Sequence, residues 1–488
     1  MAETTHVFIW WIRRDIRIYD NPAMTAALAA GALVLPLFIL DPQLLNAKYF
    51  SEVRFAFLIR GLRELDLELR KRNSRLVLRA GKPAEVLARI ASEIPLGGIF
   101  AENDFSPYAL KRDRSVAEIL PLELVSSPGV AHPQTILKSD GQPYIVFTPY
   151  MRAWKSIYKP MLTDMPPSPK RIPTPTDVDS EPFPEDVSGI SGLPFAPGEQ
   201  AARNTLGKFL DVHTNDINNS QAGNSAIFSY NELRNRMDVD GTSKLSPYLH
   251  LGMLSAREAA TSALEAISSA PNTSYCKGAE SWLNQLIWRE FYLAILYHFP
   301  FVARTSFRLA LRSIIWQNDE AEFASWTQGQ TGYPIVDAAM RQLLSTGWMH
   351  NRARMIVASF LVKDLLIDWR WGERWFMQNL IDGDLAANNG GWQWTAGTGT
   401  DAAPYFRVFN PVLQSRKFDP HGSYIRRWVP ELAKVPDRYI HSPWEMPKEH
   451  QKQYSSHIGQ DYPHPIIDHA YARQRALDIY KKAQQNAR

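Results

Sequence analysis

At 488 residues the chain is longer than a single hydrophobic core usually grows, so at least two domains are expected. Hydrophobic residues make up 45% and charged residues 21%, which excludes wholesale disorder; a net charge of +4 from 54 basic and 50 acidic residues excludes grip on nucleic acid through an overall field. One cysteine, Cys276, excludes an internal disulfide and a cysteine-held zinc or iron-sulfur centre, and no apolar run reaches membrane length. The first element, Val7 to Ile12, is short, apolar and followed at once by Arg13, Arg14 and Asp15, so it is expected to be a buried strand and not a signal peptide. A cytoplasmic protein, without membrane or metal and monomeric by default, is expected. Further strands are expected at Leu33 to Leu40, Arg75 to Arg79, Gly98 to Ala101 and Leu122 to Val125. Between the first two, Asp20 or Asn21 can cap a helix with Pro22 in its first turn, and a second helix from about Glu52 to Arg72 carries Phe55, Leu58, Ile59 and Leu62 at helical spacing.

This alternation predicts an α/β domain over residues 1–135, with a parallel, Rossmann-like sheet. No G-x-G-x-x-G follows the first strand, which argues against a dinucleotide site at that turn. Residues 136–205 are expected to link the domains, because Met165 to Pro197 is rich in proline, serine and acidic residues. From about Gly198 the periodicity turns helical, and residues 206–488 are expected to form an all-α domain.

Three segments of the helical part collect polar groups beside tryptophan. In the first, Trp282 to Tyr292, the residues Gln285, Trp288, Arg289 and Tyr292 fall on one helical face. In the second, Gly347 to Met355, Asn351, Arg354 and Met355 share a face. The third runs Asp382-Gly-Asp384-Leu-Ala-Ala-Asn388-Asn389-Gly390-Gly391-Trp392-Gln393-Trp394, and Asn388 to Gly391 is expected to break regular structure and admit a ligand close to the backbone. Each tryptophan, taken singly, reads first as core. A core has no reason to gather so many amides and carboxylates beside indoles; a large planar polar ligand does.

The run from Gly332 to Asp419, with Gly332-Tyr-Pro-Ile-Val-Asp-Ala-Ala-Met and Trp348-Met-His-Asn-Arg, resembles the FAD domain of DNA photolyases and cryptochromes, and most closely the class I photolyases for cyclobutane pyrimidine dimers. The resemblance extends to Arg13-Arg14-Asp15 and to Gly241-Thr242-Ser243 with Leu245-Ser246-Pro247, and so covers essentially the whole chain. It implies FAD held by Tyr230, Thr242, Ser243, Leu245, Ser246, Trp288, Arg289, Asn351, Arg354, Asp382, Asp384 and Asn388, with Arg354 near the ring system and Asn388 near N5. It implies an electron relay through Trp392, Trp369 and Trp316. The lesion in damaged DNA, flipped out of the stack as the family requires, would meet Gln285, Trp288, Asn351, Met355 and Trp394, with Arg234, Arg352 and Lys417 on the phosphates. Met237 stands where the family often has proline, a mild departure.

The implied activity is light-driven repair of cyclobutane dimers, that of a deoxyribodipyrimidine photo-lyase. A cryptochrome-like blue-light photoreceptor and a (6-4) photolyase are the alternatives. Gln285 stands where cyclobutane-dimer enzymes of class I carry glutamate, and an amide can donate a hydrogen bond but cannot supply a proton. (6-4) photolyases tend to have glutamine there, but they add histidines where this chain has Asn351 and Met355. Arg54 and Asp104 match positions that hold a deazaflavin antenna in part of the family, whereas His250 replaces a lysine found there. A deazaflavin is favoured as second chromophore, with folate or an empty site as alternatives.

Overall fold

The structure, a computed structural model, describes residues 5–159, 161–185, 192–210 and 226–485. Residues 186–191 of the expected linker and the last three residues of the chain lie outside the described residues. By its internal contacts the chain divides into two compact units: Met1–Asn231 with Thr242–Pro300 and Ile381–Ala386, and Glu232–Gly241 with Phe301–Leu380 and Ala387–Arg488.

The first unit contains the sheet. Its strands are β1 (Val7–Ile12), β2 (Leu33–Leu40), β3 (Val77–Ala80), β4 (Leu96–Glu102) and β5 (Leu122–Val125). They pair in parallel in the order β3-β2-β1-β4-β5, so the strand order reverses between β1 and β4, where a doubly wound sheet opens its crevice. β1 and β2 are covered on both faces, which is why they read as continuous apolar runs; Ile9, Trp11, Leu35, Leu37, Val77, Ile90 and Ile99 form the core beneath. Three of the expected strands keep their bounds. β3 starts later than expected because the Leu76 amide donates to the Asp66 carboxylate at 2.8 Å, and sheet pairing begins at Leu37 with Val77.

Helix α1 (Pro22–Ala30) is capped by Asn21, whose side chain accepts from the Met24 amide at 2.9 Å, while Asp20 takes a left-handed φ of +51° outside it. Helix α2 (Glu52–Arg70) ends one turn-fraction before the expected Arg72. The remaining helices of this unit that bear on function are α3 (Phe147–Ile157), α4 (Glu199–Leu210), α5 (Ser246–Leu251), α6 (Ala256–Ser268) and the long α7 (Thr273–His298).

The second unit is helical, with α8 (Pro334–Thr346), α9 (Asn351–Ser359) and α10 (Trp369–Asn379) in its core, and α12 (Pro411–Phe418) and α13 (His469–Gln485) following. The Gly332-Tyr-Pro start of α8 is held by buried Asp337, which accepts from the Thr331 and Gly332 amides at 2.7 and 3.0 Å. No strand follows β5 among the described residues, as the loss of strand signals near Gly198 predicted. One local expectation fails. Asn388 to Gly391 does not break the chain; it lies inside the continuous helix α11 (Leu385–Ala396). Glycine costs a helix only about 1 kcal/mol per residue, and the packing of Trp392 and Gln393 overrides that preference. No described helix is long and apolar enough to cross a membrane.

Candidate active site

In the first unit, Asn272 opens α7 by accepting from the Ser274 and Tyr275 amides at 2.9 and 3.1 Å, and the helix then runs 26 residues. The expected face exists. Trp282 donates its indole N–H to Ser243 Oγ at 3.2 Å and packs on Phe209, whose ring also meets Tyr230. Tyr230, Ser243 and Trp282 are thereby brought together. Gln285 is half-buried and donates to the Ser281 carbonyl at 3.4 Å. Trp288 lies flat on Phe147, with ring centroids 3.7 Å apart and planes 6° apart. Arg289 donates to the carbonyls of Pro128 at 2.9 Å and Leu249 at 3.1 Å; burial lowers its pKa, and Asp384 opposes that shift. Its neighbour Glu290, which the sequence did not single out, accepts from the Val130 and Ala131 amides at 2.8 and 3.0 Å.

The turn after β1 is a buried ion network. Arg14 donates to the His250 carbonyl at 3.0 Å and to Asp384 Oδ2 at 2.5 Å, with Asp104 at 3.9 Å. Arg17 binds Glu102 at 3.3 Å, and Arg257 and Ser255 both bind Asp20. Gly252, at φ +65°, is required here, because a Cβ would come within 1.8 Å of the Arg14 carbonyl. Burial disfavours the Asp384 charge, but Arg14, His250 and Arg289 together hold its carboxyl well below the usual range. Burial drives the His250 imidazole down to about 4, so it is neutral where a lysine would be charged. Burial likewise lowers Arg54 to about 10 against the pull of Asp382 and Asp384, and Asp104 is held low by Arg14 and Arg112 in spite of its burial. Arg54 and Asp104, expected at the antenna, therefore belong to the same electrostatic network as Asp382 and Asp384.

In the second unit, His350 caps α9 by accepting from the Arg352 amide at 3.1 Å. Asn351 is exposed in the first turn, Met355 is half-buried one turn on, and Arg354 donates to the Met349 carbonyl at 2.9 Å. Arg352 donates twice to Asn235 Oδ1, at 2.7 and 3.2 Å, and lies 4.4 Å over the Phe418 ring, which Lys417 also approaches at 5.4 Å. Burial and then the charge of Arg234 push Arg352 down to about 10. Arg352 and Lys417 thus share the Phe418 ring, and Arg234 is near enough to Arg352 for its charge to act on it.

Of the three tryptophans expected to form a relay, Trp369 and Trp392 are each 2% exposed, whereas Trp316 is half-buried with its ring edge-on to Tyr480. Trp392 packs on Phe376 at 5.0 Å and Trp326 at 6.2 Å. It also lies on the bare backbone of α10 at Gly372, where a Cβ would come 2.1 Å from Cη2 of the indole. On α11, Asn388 donates its amide N–H to the Glu373 carbonyl at 2.9 Å. Gln393 is fully used: it accepts from the Phe307 amide at 2.9 Å and donates to the Val302 carbonyl and to Asn389 Oδ1, both at 3.0 Å. Trp394 is half-buried beside it. Phe147, Gly372 and Asn235, which pack on or bond these side chains, were not singled out by the sequence, whereas Gln393 lies in its third segment. Only Gly372 carries a local signal, as a glycine inside an otherwise strong helical pattern.

Residues 8–173 match the family described as DNA photolyase, and residues 282–482 match the FAD binding domain of DNA photolyase. The deoxyribodipyrimidine photo-lyase of Synechococcus sp. is 39% identical over 97% of this chain and 96% of its own. The chain belongs to the DNA photolyase family. Among solved structures, a class III photolyase from Agrobacterium tumefaciens superposes with a TM-score of 0.88 at 35% identity, covering 99% of both chains. The Synechocystis cryptochrome gives 0.85 at 30% identity, over 98% of this chain and 100% of its own. The FAD binding domain of this photolyase family member offers groups that fit the cofactor. Helix α5 begins without a side-chain cap hydrogen bond, so the Ser246 and Tyr248 N–H groups on either side of Pro247 have no acceptor within the helix and suit phosphate oxygens, and Thr242 and Ser243 precede it. Asn284 Oδ1 is buried with no hydrogen-bond partner among the described residues, and Asn388 keeps its carbonyl end for a donor.

Proposed function

We propose that the chain is a light-driven DNA repair lyase that splits cyclobutane pyrimidine dimers flipped out of the duplex. What carries the reading is the full-length likeness to deoxyribodipyrimidine photo-lyases, supported by the cations Arg352 and Lys417 over Phe418 with the charge of Arg234 acting on Arg352. When bound, reduced and photoexcited FAD supplies the electron that opens the cyclobutane ring and receives it back afterwards.

The protein's own residues bind, orient and relay. Tyr230, Thr242, Ser243, Leu245 and Ser246 serve the cofactor's diphosphate end, and Trp288, Arg289, Asn351, Arg354, Asp382 and Asp384 the remainder. Asn388, anchored through its amide nitrogen, accepts a hydrogen bond at the ring with its carbonyl. Trp316, Trp369 and Trp392 pass an electron inward from the surface. The lesion meets the flat faces of Trp288 and Trp394 with Met355, Asn351 and Gln285, because a dimer that has lost its stacking partners is stabilised by apolar planes. Arg54 and Asp104 belong to an antenna site for a second chromophore, with a deazaflavin favoured, and the α/β part over residues 1–135 is the antenna domain.

The test is illumination of the purified, reduced protein with a duplex that carries one defined cyclobutane dimer, scored as restored thymines. Repair under light and none in the dark is the expected result; undiminished dimers under light overturn the reading. Gln285→Glu is expected to raise the repair yield per photon with lesion affinity little changed, since a protonated carboxyl can supply the proton that the amide cannot. An equal or lower yield would show that the pocket already compensates for the amide.

A further inference from the structure

Five rings meet where α3 packs on α7: Phe147, Tyr150, Trp288, Phe291 and Tyr292. Phe291 is fully buried at their centre, and Phe147, Tyr150 and Trp288 approach it tilted or edge-on, at 5.9, 5.4 and 5.6 Å. Tilted contacts of that kind are what ring quadrupoles favour in ordinary core packing. The pair Phe147–Trp288 departs from it. Those rings lie 3.7 Å apart and 6° from parallel, so that one face of the indole is backed by the whole of a second ring. Phe147 is itself buried, as the first residue of α3, with Tyr150 and Trp154 locked on the same side of the helix one and two turns later. Trp288, by contrast, keeps part of its surface exposed.

A buried, fixed ring against one face of a partly exposed ring sets the plane of the second. We propose that Phe147 is a positioning residue for lesion recognition: it holds the Trp288 indole in the plane against which the flipped dimer stacks. This rests on the reading of Trp288 as a lesion contact. Without the backing ring the indole gains rotamer freedom that binding must then remove, and an ordered plane is worth about three- to tenfold in affinity per side chain immobilised. Phosphate contacts are untouched, so binding of undamaged DNA is unaffected.

The experiment compares dark equilibrium binding of the flavin-loaded protein to a duplex with one cyclobutane dimer and to the same duplex undamaged. For Phe147→Ala the dimer affinity is expected to fall about three- to tenfold, with undamaged binding and the flavin absorption spectrum unchanged. Phe147→Tyr is expected to restore the wild-type difference. Phe147→Leu keeps an apolar side chain without a ring, so it is expected to behave like the alanine variant even if the latter folds poorly. Full discrimination in Phe147→Leu, or equal weakening toward both duplexes, overturns the proposal. Trp288→Ala separates the two levels. If it loses dimer affinity while the Phe147 variants do not, this inference fails alone; if it binds the dimer as wild type does, the reading of Trp288 fails beneath it.

Discussion

The turn after β1 and the pair of helices α10 and α11 both carry residues assigned to the cofactor or to the electron relay, yet they are held in opposite ways. Around the turn, Arg14 with Asp384, Arg17 with Glu102 and Arg257 with Asp20 pair a buried carboxyl with a buried or partly buried guanidinium. Around α11, Trp392 sits among Phe376, Trp326 and the bare backbone of Gly372, and its position is set by shape alone. Removing one member of a buried ion pair leaves an uncompensated charge, whereas adding one methyl to a packed surface forces only a local shift. The first region is thus rigid in energy and sensitive to pH; the second is rigid in geometry and indifferent to it.

Asp384→Asn tests that contrast at its strongest point. The amide keeps the volume but takes its nearest carboxylate from the partly buried Arg14 guanidinium, leaving Asp104 at 3.9 Å, and removes the carboxylate beside His250. Breaking a buried pair in this way costs about 3–5 kcal/mol. A drop of that order in the unfolding free energy from urea melts, accompanied by loss of flavin on purification, is the expected result. A change below about 1 kcal/mol, the range of exposed pairs, would show that the network is not what holds the turn.

Glu102 supplies the pH dependence. Burial, joined by the charge of Asp15, raises its carboxyl to about 7 in spite of Arg17 and Arg13. The folded chain then keeps a proton up to about pH 7 that the unfolded chain releases near the ordinary glutamate pKa of about 4.3. Stability from this group is complete below that lower value and is lost as the pH rises through the upper one, with a slope of at most about 1.4 kcal/mol per pH unit between them. Urea melts at intervals from pH 5 to pH 8 should show the decline, and Glu102→Gln should flatten it. An unchanged slope in the variant would assign the proton to another group.

The sheet was legible because β1 and β2 are buried on both faces and so appear as unbroken apolar runs, and α7 was legible because its polar residues recur every three or four positions. The path of Asn388 to Gly391 was not. Local preference there points to a break, and only the packing of Trp392 and Gln393, supplied by residues far away in the chain, makes it helical. The ion network was hidden for the same reason: Arg14 and Asp384 are 370 positions apart, and nothing near either residue announces the other. Phe147 illustrates the limit most sharply, since its importance lies wholly in a stack with Trp288, 141 residues later by the numbering of that pair.

Gly372 tests the second region and should have the smallest effect on stability. Alanine is better than glycine in a helix interior by about 1 kcal/mol, so Gly372→Ala would stabilise α10 if space allowed. Space does not allow it, because the new Cβ falls on the Trp392 ring. Overpacking of that kind costs about 1–3 kcal/mol, which leaves a net loss of about 0–2 kcal/mol after the helical gain. The consequence should appear instead in the relay, because Trp392 must leave the backbone of the helix that begins with Trp369. Photoreduction of oxidised flavin is expected to slow several-fold while repair by chemically reduced enzyme stays the same. Unaltered photoreduction would mean that the close seat of Trp392 on α10 serves packing only, and that electron transfer tolerates a displaced indole.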